Sequence, residues 1–219
     1  MTPPNITKDN IVTVGDNPFI RLFDIQYAPG KHYFDASRRP KEDLVALKDE
    51  KEGKEMLPDA VSCFVIIETP NDEPRILLSY EFRYPVGRFL LGVPAGLIDK
   101  GDKENKDALK IASIREIYEE TGIVVKDTDR VEIVNPCVFS TPGMSDESNA
   151  LMLVVCHLDD LSSLTQEHAE GSEVFDGFAL LTKKEALELL KLGRDAKGDF
   201  YSAFTWMALT YFATDLWKE

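Results

Sequence analysis

Cysteine and histidine are both scarce. The 219 residues include three cysteines, Cys63, Cys137 and Cys156, and three histidines, His32, His157 and His168. Neither set has the close pairing of a zinc or iron–sulfur site. An odd number of cysteines, two of them inside apolar runs, gives no sign of a disulfide framework and suggests buried small hydrophobes in a reducing compartment. The cytoplasm is therefore the expected location. His157, in an apolar run, is expected to be a satisfied core histidine.

Positive charge is also in deficit. Lys and Arg total 25 against 39 Asp and Glu, a formal net charge of -14. A grip on nucleic acid needs the opposite balance, because phosphate backbones would be repelled. Small anionic substrates stay open, since a bound cation can bring a phosphate to an acidic surface. No apolar run approaches the ~20 residues that a membrane-spanning helix needs. The N-terminal MTPPNITKDN has no basic start and no apolar stretch, so no signal peptide is expected. The chain has no GxGxxG and no regular strand–helix alternation, which argues against a dinucleotide-binding fold.

What is present is an ordinary globular composition, 43% hydrophobic and 29% charged, with enough apolar surface for a core. Residues 1–58 read as an N-terminal β region, with weak strand patterns in NIVTVGD and PFIRLFDIQYA and then a charged loop or short helix over 40–58. From residue 59 to 219 the texture is that of a second domain. AVSCFVIIE and RILLSYEFRY read as a hairpin around TPNDEP, and GRFLLGVPAG as a short strand closing in a Pro-Ala-Gly turn. VEIVNPCVF, ALMLVVCHL and EVFDGFALL read as further strands. TKKEALELLKLG is an amphipathic helix with Thr182 as N-cap, Glu185 three residues on and Gly193 as its stop. YSAFTWMALTYFATDLW is a last helix. The order β-β-β-α-β-β-β-α-α implies an α/β fold, a mixed sheet with helices on its faces in an α/β/α sandwich.

The helix expected over about 108–120 is unusual. Glu116, Glu119 and Glu120 crowd beside Arg115, and Gly122 ends the helix. Like charges three and four residues apart repel. Converging on one flank, three carboxylates form a hard-oxygen site suited to Mg²⁺ or Mn²⁺, which would relieve that repulsion.

The spacing resembles the Nudix box. Gly101 is followed after five residues by Asp107. Seven residues later come Arg115-Glu116, Ile117, Tyr118, Glu119-Glu120, Thr121, Gly122 and Ile123. One fixed position departs, Asp107 standing where the family usually has Glu. GVPAGLIDKGD just before the box and YEFRYPVGRF upstream resemble the ADP-ribose and ADP-sugar pyrophosphatase branch, as does the loop STPGMSDES downstream. The resemblance is tight over 83–123 and looser over the rest of 30–190.

It implies the Nudix fold with a small N-terminal antiparallel β region, and Mg²⁺- or Mn²⁺-dependent hydrolysis of the diphosphate in ADP-ribose or a related ADP-sugar. The alternatives are another nucleoside diphosphate substrate, such as a different nucleotide sugar or coenzyme A, and a non-catalytic nucleotide sensor. Glu116, Glu120 and the Ala95 carbonyl would hold the metal, with Glu119 as a further ligand or as the group that positions the water. Arg115 would orient the glutamates, and Arg83 would bind the substrate phosphate. Glu147 would be the general base, with Asp146, Glu167, Glu170 or Glu173 as other loop acids for that role. Pro142 and Gly143 would shape the substrate loop. Phe34, or Tyr33, would stack on the adenine, and Arg39 would reach a phosphate. The same resemblance implies a homodimer made through the N-terminal region, with no nucleic-acid or membrane partner.

Overall fold

A computed structural model describes residues 3–99, 101–169 and 171–219. The chain divides into two compact units. The first holds the described residues up to Asp59 together with Pro136–Asn149; the second holds Ala60–Asn135 and Ala150–Glu219. The boundary near residue 59 is where composition changes. The return of Pro136–Asn149 to the first unit is not visible in the local pattern, because it depends on long-range hydrogen bonds.

In the first unit, β1 (Ile11–Asp16), β2 (Arg21–Ala28) and β3 (Lys31–Ser37) form an antiparallel sheet in chain order. Ile11, Phe23 and Ile25 are buried with Leu44, and Ile6 and Leu47 pack at the edge. Val12, Leu22 and Phe34 are exposed. The charged 40–58 segment is two single 3₁₀ turns and the short helix α1 (Glu50–Glu55), capped by Asp49. Backbone N–H groups and side chains of the first unit tie down the segment Pro136–Asn149. Ala36 N–H donates to the Met144 carbonyl at 3.0 Å, Asp146 N–H to Asp35 at 3.0 Å, and Asp59 N–H to the Ser148 carbonyl at 2.9 Å.

The second unit is built on a mixed sheet. The strands of that sheet are β4 (Ala60–Glu68), β5 (Arg75–Arg83), β6 (Arg88–Gly92), β7 (Ala95–Leu97), β8 (Arg130–Phe139), β9 (Ser148–His157) and β10 (Phe175–Leu181), with the end of β8 and the first two residues of β9 belonging to the first unit. The order is β10-β5-β4-β9-β8, with β6 on β5 and β7 on β4. β4 runs antiparallel to β5 and β7. The bonds from Asp59 to Ser148 and from Leu158 to Glu68 run in the same sense along β4 and β9, so that pair is parallel. β4 is buried along nearly its whole length, as a central strand covered on both faces should be. Val61, Cys63, Val65 and Ile67 pack with Ala108, Ala112 and Ile117 of α2 (Ala108–Thr121). On the opposite face, Phe64 meets Tyr211 of α4 (Ala203–Ala213) at 5.7 Å between ring centres. Helices thus cover both faces, and α3 (Lys183–Leu192) packs against α4. Thr182 and Glu185 form the reciprocal cap, and Gly193 closes α3 in the left-handed region.

Two sequence expectations are corrected. Pro94-Ala95-Gly96 does not end in a tight turn: Ala95–Leu97 is a strand whose residues pair with Ser62, Val61 and Ala60. His157 is not a core residue. It stands exposed at the end of β9, 3.1 Å from both Glu68 and Asp129, because the apolar run stops one residue before it.

Candidate functional site

The acidic helix sets the site. On α2 the buried stripe runs Ala112, Glu116, Glu120, four residues apart, alongside Ile117. A helix anchored through its alanines and Ile117 therefore carries two carboxylates inward with them. Glu116 is 5% exposed and Glu120 is 2%. Glu119, on the flank, remains partly exposed. Gly122 ends the helix at φ 73°, and a Cβ there would lie 2.6 Å from Thr165 Cγ2.

Arg115 binds the cluster together. Its Nη1 donates to Glu116 Oε1 at 2.7 Å and to Glu119 Oε2 at 3.3 Å. Nη2 donates to the Leu97 carbonyl at 2.8 Å, tying α2 to β7. Asp99 and Asp102 lie 3.6 and 4.0 Å from the same nitrogen. β7 makes a second tie, with Ala95 N–H donating to Glu120 Oε1 at 3.0 Å. Gly96 lies against the carboxyl of Glu116, so a Cβ at this position would fall 2.0–2.2 Å from the carboxyl atoms. Sequence reading took this glycine for part of a turn. A glycine inside a strand, where another group approaches the backbone, was the available signal.

Burial and crowding show in the acidities. Burial raises Glu116 to about 7 against a lowering pull from Arg115, and Glu119 adds to the rise. Glu120 is raised well above the usual carboxylate range, first by burial; the Ala95 N–H lowers it, and the charges of Glu81, Glu173 and Glu116 raise it further. Glu81, on β5, is raised by burial and by Glu173 and lowered by Arg83. Two acids missed or left open by sequence reading, Glu81 and Glu173, therefore belong to the electrostatic neighbourhood of the helix. Phe82 N–H donates to the Val174 carbonyl at 2.8 Å, which fixes the segment carrying Glu173 beside the end of β5.

The donor set fits a hard divalent cation. Buried carboxylates that raise one another's pKa lack positive charge, and oxygen ligands are what Mg²⁺ or Mn²⁺ takes. Among the described residues no three ligating side chains already converge on one point. Arg115 holds Glu116 and Glu119, and the Ala95 N–H occupies one oxygen of Glu120. Arg83 ends β5 with its guanidinium nearly half exposed, 2.5 Å from Glu81. Glu167 is an exposed loop residue, and Glu170 lies outside the described residues.

The other expected residues lie in the first unit. Glu147 Oε1 accepts from Arg38 Nε at 2.8 Å, an arginine sequence reading passed over. Asp146 is nearly buried. It accepts from the Val45 N–H at 3.1 Å and lies 3.7 Å from Arg39. Arg39 is 7% exposed, with Nη2 2.9 Å from Asp59 and Nη1 3.7 Å from Asp43. Its guanidinium is thus paired inside the unit, chiefly with Asp59. Phe34 is exposed, and the Tyr33 hydroxyl donates to the Gly143 carbonyl at 2.8 Å. Pro142 and Gly143 sit in a turn closed by bonds from Met144 and Ser145 to the Thr141 carbonyl.

An acidic helix clamped by an arginine, under a mixed sheet covered on both faces, defines the class of a Nudix domain. The NUDIX domain pattern matches residues 56–204, and the chain belongs to the Nudix family. Among similar proteins, the ADP-ribose pyrophosphatase of Bacillus subtilis is 27% identical over 154 residues, 70% of this chain and 71% of that protein. The ADP-ribose pyrophosphatase of Saccharomyces cerevisiae is 30% identical over 61% of this chain and 55% of its own length. An uncharacterized Nudix hydrolase of Schizosaccharomyces pombe is 27% identical over 61% of each chain. The chain thus spans about three fifths of the length of several relatives it matches.

Proposed function

We propose that the protein hydrolyses the diphosphate of ADP-ribose or a related ADP-sugar, releasing AMP and a sugar phosphate. The observation that carries this reading is the buried pair Glu116 and Glu120, one helical turn apart and clamped through Arg115 and β7. The names of the relatives support the substrate class.

Glu116, Glu119, Glu120 and the Ala95 carbonyl would hold Mg²⁺ or Mn²⁺. Such an ion supplies charge neutralisation for a diphosphate and a more acidic water. Arg115 keeps the glutamates oriented, and its planar guanidinium suits bidentate carboxylate pairing. Arg83 offers N–H donors to the diphosphate. Phe34 is the aromatic proposed for the adenine, and Pro142 and Gly143 are proposed to shape the substrate loop.

The general base is a loop acid that takes the proton from the attacking water. Glu147 is the acid the loop pattern suggests, and Arg38 would have to release it first. Glu173 is the second reading, favoured because its charge is felt at both Glu116 and Glu120. The Glu147→Gln and Glu173→Gln variants separate the two: the base is the acid whose loss flattens the alkaline rise of kcat. We propose further that the exposed apolar face of the N-terminal sheet, with Val12 and Leu22, is buried in a homodimer, and that the cysteines, in thiol form, reflect a cytoplasmic location. Light scattering reads the dimer directly; a monomer at micromolar concentration contradicts it.

The test of function is phosphate-coupled turnover of ADP-ribose, ADP-glucose, GDP-mannose, NADH, coenzyme A and diadenosine polyphosphates, each with Mg²⁺ and with EDTA. Preference for ADP-ribose, lost in EDTA, is the expected result. Preference for a different compound overturns the substrate. Nucleotide binding without turnover of any compound overturns the activity and makes the protein a sensor.

A further inference from the structure

β5 ends in Glu81-Phe82-Arg83. The two-residue period puts Glu81 and Arg83 on one face and Phe82 on the other, where it meets Tyr84 and Phe89 edge-on. Glu81 Oε2 lies 2.5 Å from Arg83 Nη2. The two side chains differ sharply in exposure, 14% for Glu81 and 46% for Arg83. Glu81 is thus a nearly buried anion holding the root of a cation that reaches out.

A carboxylate at this point is expensive. It is largely removed from water, and the charges of Glu120 and Glu173 oppose it. Among the described residues its cationic partner is Arg83. A guanidinium has five N–H donors in a fixed fork, so a single carboxylate contact fixes its direction while most donors stay available. A fixed fork loses less rotamer freedom when it captures an anion than a freely moving arginine does.

We propose that Glu81 is a positioning residue, holding the Arg83 guanidinium in the orientation that binds the substrate diphosphate. The inference rests on the reading of Arg83 as the diphosphate-binding arginine. Glu81 acts on capture of the substrate, not on the chemical step.

The test is a double-mutant cycle of Glu81→Leu and Arg83→Ala, with Glu81→Gln as the near-isosteric control that keeps an acceptor for Arg83. Folding of each variant is checked by circular dichroism; if Glu81→Leu does not fold, Glu81→Ala takes its place in the cycle. Two readouts are taken: KM and kcat for ADP-ribose with Mg²⁺, and the Kd of ADP-ribose in EDTA by calorimetry. Glu81→Leu is expected to raise KM and Kd by ~10-fold with kcat within ~3-fold of wild type, and Glu81→Gln by less. In the Arg83→Ala background Glu81→Leu should add nothing, because the group it positions is gone. Unchanged KM and Kd, or multiplying effects of the two substitutions, overturn the proposal. A fall in kcat alone also overturns it and moves Glu81 to the helix acids. If wild type does not turn over ADP-ribose, the substrate reading fails by itself. Titration of ADP and inorganic pyrophosphate into the same four proteins then decides the Glu81–Arg83 coupling.

Discussion

Withdrawing divalent cations should leave the protein less stable at neutral and alkaline pH, and Glu116 is one residue through which it happens. In the folded chain its carboxyl is raised from the usual 4.5 to about 7, because burial penalises the charge more than Arg115 rewards it. A folded state with the raised value holds its proton more tightly than the unfolded chain. The resulting stability is complete below about pH 4.5 and is lost as pH rises through about 7. A rise of that size corresponds to at most ~3 kcal/mol, and any turn of the side chain toward water reduces it. Glu116→Gln removes the titration and keeps an oxygen for Arg115. In EDTA at pH 8 the variant should be more stable than wild type by ~1–3 kcal/mol, or about 2–12 °C in melting temperature for a chain of this size. Near pH 4.5 the two should melt together. Adding Mg²⁺ at pH 8 should raise the wild-type melting temperature and leave the variant nearly unmoved, since binding to the folded state stabilises by mass action. Melting curves by circular dichroism at four pH values, with and without Mg²⁺, suffice. Parallel wild-type and variant curves across that range in EDTA would refute the reasoning, because Glu116 would then not be an uncompensated buried acid.

Other consequences are simpler to read. Gly96→Ala places a methyl on the Glu116 carboxyl and should lower kcat/KM for ADP-ribose by ~10²-fold or more with secondary structure retained; activity within threefold of wild type would mean the close approach is not needed. Arg39→Met leaves Asp59 buried without its cation and should destabilise the first unit by ~3–5 kcal/mol in urea melts, whereas a loss under ~1 kcal/mol would show that the pair is already solvated. Thr182→Ala removes the α3 cap and should cost ~0.5–2 kcal/mol with turnover unchanged; altered turnover would couple α3 to the site unexpectedly.

Much of this was legible because it is local. The helix carrying Glu116, Glu119 and Glu120, its stop at Gly122 and the reciprocal cap of Thr182 and Glu185 all follow from neighbours within a turn or two. The weak strand patterns of β1 and β2 likewise lie within each strand. What stayed hidden depends on residues far apart in sequence. Arg39 looked like a free cation because Asp59 and Asp146 come to it only through the fold. Glu81 carries no local signal, because Glu120 and Glu173 bear on it only through the fold. Ala95–Leu97 reads as a turn because Pro94 precedes it and Gly96 lies within it, yet three backbone pairings with β4 outweigh that local preference. His157 sat in an apolar run whose burial ends one residue earlier.

The most direct test compares wild type and Glu120→Gln on ADP-ribose, in Mg²⁺ and in EDTA, with the products separated by chromatography. Wild type in Mg²⁺ should yield AMP and ribose 5-phosphate. Wild type in EDTA should yield neither, nor should Glu120→Gln in Mg²⁺, although that variant keeps the wild-type circular dichroism spectrum. Turnover at the wild-type rate by Glu120→Gln, or by wild type in EDTA, would contradict the assignment of the acidic helix as the metal-binding centre of a diphosphate hydrolase.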